Sequence, residues 1–308
     1  MTSCSAPAKG SLLLAISTDM QAPKDVSTLS VFVTSDSAIK LDYLGRVLPA
    51  GGSLPLPATL AIVQPDNPDT SLFIRVTFFQ GQKARVMRDI VTTVPRNRTA
   101  LLRVPLGFLD DGDVSGTLPA MYVPGSTAGG GPVPDGDSNY SPVDEPGAVL
   151  LPKCSFADKK TMLNGRCVDS TIDSSTLPDY SEDAVYGRRG ARDGLPVSCF
   201  DVKKCFGSAA AVTGLDTTHC TFPLPAGVDA ATFNLALATQ DTGACIGTSP
   251  CFVPLASDPG GAGWYVSGGA VHLLAGVCLK MPTGAQLYQS VGTCPTQTLS
   301  DPVCESGG

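Results

Sequence analysis

Apolar and polar residues alternate in short runs through the first hundred positions. Leu29, Val31 and Val33 interleave with Ser30, Phe32 and Thr34, and Leu72, Ile74, Val76 and Phe78 interleave with Phe73, Arg75, Thr77 and Phe79. A period of two sends successive side chains to opposite faces of a strand. Runs of this kind occupy 12–18, 28–34, 39–44, 58–63, 72–79, 84–93 and 99–104, each bounded by Gly, Pro, Asp or Asn. Seven short strands at this spacing predict a sandwich over residues 11–109, with one face of each strand in a core and the other against water or a neighbouring sheet.

The pattern stops at 110–152, where Gly, Pro, Asp and Ser dominate, as in the run from Gly125 to Asp137. So few apolar side chains cannot offset the entropy of ordering the chain, which predicts a linker. Residues 153–195 follow as a small cysteine-closed loop and connector. Strand-like runs return at 197–202, 220–224, 232–238, 251–255, 264–266, 270–274 and 286–291. The expected class is therefore all-β. An immunoglobulin- or fibronectin-like sandwich leads, through the linker, to a disulfide-rich β domain over 196–308, with a jelly roll as its candidate topology.

Composition agrees with turns over long helices, since Gly and Pro make up nearly a fifth of the 308 residues. The net charge of −7 is uneven: 11 Lys/Arg face 8 Asp/Glu up to Asp110, and 10 face 20 beyond it. The acidic part repels a nucleic-acid backbone and the first part has no dense basic run, so nucleic acid is not an expected partner. No run approaches the roughly 18–20 apolar residues of a membrane-spanning helix.

Ten of the eleven cysteines lie between Cys154 and Cys304, namely Cys154, Cys167, Cys199, Cys205, Cys220, Cys245, Cys251, Cys278, Cys294 and Cys304. An even set confined to one region predicts a disulfide framework and an oxidising compartment. A zinc site is the alternative, but its close cysteine pairs are missing, and His219 and His272 are the only imidazoles. Cys154 and Cys167 are spaced to close a small loop. Local pairs Cys199–Cys205 and Cys245–Cys251 are expected, leaving Cys220, Cys278, Cys294 and Cys304 with three pairings open. Cys4 stands apart, followed by Ser5, Ala6 and Pro7, and no signal peptide is written into the start. A lipidated Cys4 on a tether of residues 1–10, at the start of a processed chain, is the expectation.

Several cysteine-anchored phrases carry a resemblance. Cys154 and Cys167-Val168 are followed by Leu177-Pro178-Asp179-Tyr180 and Val185-Tyr186-Gly187. Cys199-Phe200-Asp201-Val202, Pro250-Cys251-Phe252-Val253-Pro254-Leu255, Gly263-Trp264 and Val277-Cys278 complete the set. Over 154–304 the chain resembles uncharacterised cell-envelope lipoproteins of the myxobacterial type. The resemblance implies export and a lipid anchor at the outer membrane or cell surface, and supplies no catalytic residue. The chain departs from that pattern in lacking an extra cysteine inside its first small loop.

Catalytic strings fare poorly. Asp241-Thr242-Gly243-Ala244 resembles an aspartic-protease turn, but Gln240 precedes it where an apolar residue belongs, and no second such turn completes a dyad. No Gly-x-Ser-x-Gly, His-Glu-x-x-His, phosphate-binding or dinucleotide-binding pattern occurs. The acidic groups Asp110, Asp111, Asp113 and Asp135, Asp137 lack the spacing of a calcium loop. Trp264 and Tyr265 are weak candidates for stacking on a sugar, set against the commoner role of a lone Trp in a core. The expectation is a non-enzymatic binding or adhesion module without cofactor or metal. A structural subunit of an envelope or extracellular assembly is the alternative, and a hydrolase a distant third.

Overall fold

The computed structural model describes residues 9–36, 38–47, 54, 56–117, 149–154, 156–186, 200–247, 250–257, 263–280, 286–298 and 303. Its first strands are β1 (Ser11–Ser17), β2 (Thr28–Ser35), β3 (Ala38–Arg46), β4 (Ala58–Val63), β5 (Leu72–Gln80), β6 (Lys83–Thr92) and β7 (Thr99–Pro105). These fall on the seven runs expected from alternation. Two further strands, β8 (Val114–Thr117) and β9 (Val149–Pro152), form where a linker was expected. They extend one sheet to six strands, in the order β3-β2-β5-β6-β8-β9, opposite a sheet of order β4-β1-β7. The boundary expected at 110–152 therefore shifts, because both ends of that stretch are strands of the first unit; residues 118–148 lie outside the described set.

The two sheets enclose Leu12, Leu14 and Ile16 of β1, Leu29, Val31 and Val33 of β2, Ile74, Val76 and Phe78 of β5, and Leu102 and Val104 of β7. Burial of this apolar area is the main stabilising force for the sandwich. The outer face of the larger sheet is covered as well. Over it lies the hairpin β10 (Lys160–Leu163) and β11 (Arg166–Asp169), closed by Cys154–Cys167. Phe156 meets the edge of Phe73 at 4.8 Å, and the Thr161 hydroxyl accepts from the Asp89 amide at 2.8 Å. The connector is thus part of the first unit's packing, with Ile172 and Leu177 against the sandwich core.

A short helix, α1 (Glu182–Tyr186), ends this part of the chain, and α2 (Val202–Phe206) opens the second unit. The unit's strands are β12 (Ala210–Ala211), β13 (Thr221–Pro223), β14 (Phe233–Thr239), β15 (Ala244–Cys245), β16 (Cys251–Leu255), β17 (Trp264–Ser267), β18 (Ala270–Leu273) and β19 (Gln286–Val291), with α3 (Ala275–Lys280) before the last. A sheet of order β12-β19-β14-β16-β15 packs on a sheet of order β13-β18-β17 around Phe222, Phe233, Leu235, Leu237, Leu255, Trp264 and Val271. The strand expected at 197–202 is absent from its described part. Phe200 makes one isolated bridge to Val303, and Val202 begins α2, where the Asp201 carboxylate caps the Lys204 amide at 3.0 Å. Val202, Cys205 and Phe206 share one buried face at helical spacing, against Phe252 and Ala236.

The units meet through a 3₁₀ turn at Phe108–Asp110. Phe108 packs against both cores, Leu106 belongs to the first and Leu109 to the second. Asp25 adds a polar link, its Oδ2 accepting from the Gln21 amide at 2.9 Å and the Gly243 amide at 2.7 Å. On the other side Gly276 of α3 approaches the β10–β11 turn so closely that a Cβ there would lie 1.9 Å from the Asn164 carbonyl oxygen. Only glycine fits that approach.

Candidate ligand pocket between the two units

β1 and β7 run parallel, and their pairing ends at Ser17 opposite Pro105. The Ser17 carbonyl then accepts from the Leu106 amide at 3.0 Å, so that the residues leaving both strands, Thr18-Asp19 and Leu106-Gly107, lie side by side. Asp19 Oδ1 accepts from the Phe108 amide at 2.8 Å. Gly107 leaves room for this, since a Cβ on it would stand 2.9 Å from Asp19 Oδ2.

From the second unit comes the segment 294–297. Asn234, buried on β14, donates to the carbonyls of Cys294 and Pro295 at 3.2 and 3.1 Å and accepts from the Gln297 amide at 2.8 Å. The Gln297 carbonyl accepts from Ser257 at 2.8 Å. Gln297 is thereby fixed on both sides and is 5 % exposed, yet among the described residues its buried side-chain Oε1 has no hydrogen-bond partner. A buried polar atom without a partner costs free energy, and native folds leave few of them.

Between these two edges lies a cavity of about 130 Å³, lined by Asp19, Arg103, Gln297 and the apolar surfaces of Leu106, Val185 and Leu255, among others. A few polar groups in an apolar concavity at a junction of units is the usual make-up of a ligand site. Asp19 is hemmed in by protein, although solvent still reaches it through the cavity. Burial pushes its carboxyl up to about 7, against the pull of the Phe108 amide, and the nearby carboxylates Asp110 and Asp25 push it further up. Burial lowers the Arg103 guanidinium, which donates to the Ala184 carbonyl. Behind this wall Arg88 is buried, its Nε has no partner among the described residues, and burial brings it down to about 10 against the opposing pull of Asp110.

Among the described residues, none of the candidate catalytic, metal-binding or sugar-stacking side chains lines this cavity, although Val185, Pro254, Leu255 and Gly263 of the cysteine-anchored phrases do. Trp264 is 1 % exposed and its indole N–H donates to the Leu255 carbonyl at 2.9 Å, so it is core and has no free face for a sugar. Tyr265 stacks on His272, its cross-strand partner, with ring centres 4.9 Å apart. His219 pairs with Asp216 at 2.6 Å on the surface. The Asp241 string is a docking turn, whose Gly243 amide is held by Asp25 and whose Asp241 carbonyl accepts from Lys24. The first acidic group is dispersed into separate contacts. Asp110 accepts from the Gly165 amide at 2.7 Å, Asp111 takes the Arg85 fork at 2.7 and 2.6 Å, and Asp113 meets Lys153 at 3.0 Å. Asp135 and Asp137 lie outside the described residues.

Eight cysteines are joined as Cys154–Cys167, Cys205–Cys294, Cys220–Cys278 and Cys245–Cys251. Thiols so joined are not metal ligands. The expected Cys199–Cys205 pair is corrected: α2 turns Cys205 inward beneath the sheet, where Cys294 meets it. Cys4, Cys199 and Cys304 lie outside the described residues. Four disulfides point to an oxidising, exported environment, and among the described residues no helix is long and apolar enough to cross a membrane. No family model, curated protein or solved structure matches the chain.

Proposed function

We propose that the chain is an exported, lipid-anchored, non-catalytic binding module of the cell envelope that holds a small ligand between its two β units. The observation that carries this reading is the cavity that sets the Asp19 carboxyl against apolar walls at the junction of the two units. The carboxyl is held there by the Phe108 amide, which is what preorganisation for a ligand requires. The disulfides support export, and an acyl chain on Cys4, in a membrane-tethered form of the protein, accords with that compartment. A surface protein or glycan is the partner class this anchoring suits, and self-assembly is the competing use of the same anchored chain.

Saturation-transfer NMR against a library of small polar fragments tests the reading. Hits on the wild type that vanish in an Ala256→Trp variant, which fills the cavity, are expected. Hits that persist in that variant, or none at all, would overturn the pocket as the binding site. Intact mass of protein from its native source tests the anchor: a diacylglycerol-sized adduct on Cys4 is expected, and a bare Cys4 removes that part of the proposal.

A further inference from the structure

The charges around the cavity are lopsided. The groups that act on Asp19 are Asp110, on the 3₁₀ turn, and Asp25, on the turn after β1. Lys24 meets Asp25 at 2.5 Å, and Arg88 on β6 lies within reach of Asp110's charge. Arg103 of β7, in the same lining, is turned to the Ala184 carbonyl. Among the described residues no cation pairs with Asp19. A carboxylate in such a place is disfavoured by burial and by like charge, and both penalties fall when an opposite charge arrives.

The hydrogen-bonding inventory points the same way. Asp19, when ionised, only accepts, and one of its oxygens already takes the Phe108 amide. A ligand that completes the site therefore brings donors. The walls around this acceptor are carbon, from Leu106, Val185, Pro254 and Leu255. In size the cavity is close to the roughly 150 Å³ of an apolar cavity known to hold benzene.

Resting on the reading that the pocket binds a small ligand, we propose that this ligand is a protonated amine of about four to six non-hydrogen atoms. Its ammonium sits on the Asp19 carboxylate, and its carbon tail lies along Leu106, Val185 and Leu255. Binding needs the ionised carboxylate. With Asp19 pushed up to about 7, acidification from pH 8 to 5.5 removes most of that form while the amine keeps its proton, and affinity falls by roughly 30-fold.

Calorimetric titration of the whole chain with n-butylamine, n-butanol and butyrate at both pH values distinguishes the cases. Butylamine binding at least ten times more tightly than butanol at pH 8, with that advantage lost at pH 5.5 and in Asp19→Asn, is the expected result. Equal binding of butylamine and butanol would overturn the amine proposal and leave the pocket standing. Butyrate binding most tightly would overturn it in favour of Arg103 as the anchor. Absence of binding by all three, together with an empty fragment screen, sinks both readings. If Asp19→Asn fails to fold, the pH dependence of the wild type decides alone.

Discussion

Arg75 and Asp89 are register partners across β5 and β6, and their side chains meet as a two-pronged fork, Nε to Oδ1 at 2.7 Å and Nη2 to Oδ2 at 2.9 Å. They are 1 and 2 % exposed, on the outer face of the six-stranded sheet. Phe73 lies under the guanidinium at 5.5 Å and the β10–β11 hairpin closes over the strand beside it. A charge pair taken out of water gains little net stability, but removing one partner strands the other. Arg75→Met or Asp89→Leu alone should cost about 3–5 kcal/mol in urea unfolding, and the double variant should recover most of that. Additive losses in the double variant would show that the two groups are not coupled.

Asp19 works against the fold at neutral pH. Its carboxyl is pushed up to about 7 when folded and returns to about 3.8 when unfolded, so the native state holds a proton that the unfolded chain has lost. Stability from this group is complete below about pH 4 and is lost as pH rises through 7. Asp19→Asn keeps an acceptor for the Phe108 amide and carries no charge to bury. At pH 8 it should be more stable than wild type by on the order of 3 kcal/mol, with no difference at pH 4. Equal stability at both pH values would mean the carboxylate is not held in the setting described. A residue that weakens the fold where it would be charged fits a binding site better than a structural role.

Much of this architecture is legible in the chain. Alternation in β2 and β5 marks strands whose two faces are both occupied, and the runs at 58–63, 251–255 and 286–291 coincide with β4, β16 and β19 end to end. Local periodicity reports local structure, which is why these succeed. The described end of the run at 197–202 misleads because Phe200 and Val202 at alternate positions look like a strand, while the Asp201 cap that starts α2 is a single side chain. The polar groups of the pocket belong to none of the motifs, although Val185, Pro254, Leu255 and Gly263 of its wall do. Asp19 and Gln297 are 278 positions apart, and they line one cavity only because β1 pairs with β7 and Asn234 anchors segment 294–297. The string at Asp241 drew attention for its chemistry and is used for docking, a role set by Asp25 from the other unit.

Asp25 ties the units by accepting from the Gly243 amide, and steadies its own turn by accepting from the Gln21 amide. Asp25→Ala leaves the Gln21 and Gly243 amides buried without their acceptor and should cost about 2–4 kcal/mol. Asp241→Ala, by contrast, removes an exposed side chain whose backbone carbonyl does the docking, and should change stability by less than about 0.5 kcal/mol. Thermal or urea unfolding of both variants checks the contrast, and a large loss in Asp241→Ala would assign that carboxylate a role the geometry does not give it.

Non-reducing peptide mapping should join Cys205 to Cys294, never to Cys199. Removing Cys205–Cys294, which spans 89 positions, should cost about 4 kcal/mol, against about 2 for Cys245–Cys251, which spans 6.

The most direct measurement is an amide-resolved NMR titration of the ¹⁵N-labelled protein with n-butylammonium at pH 8. The account predicts saturable shifts centred on the Phe108 amide, which shares Asp19 with the ligand, and on the Gln297 side-chain amide, absent in Asp19→Asn. Shifts spread over the surface without saturation, or saturable shifts that leave Phe108 and Gln297 unmoved, would contradict it.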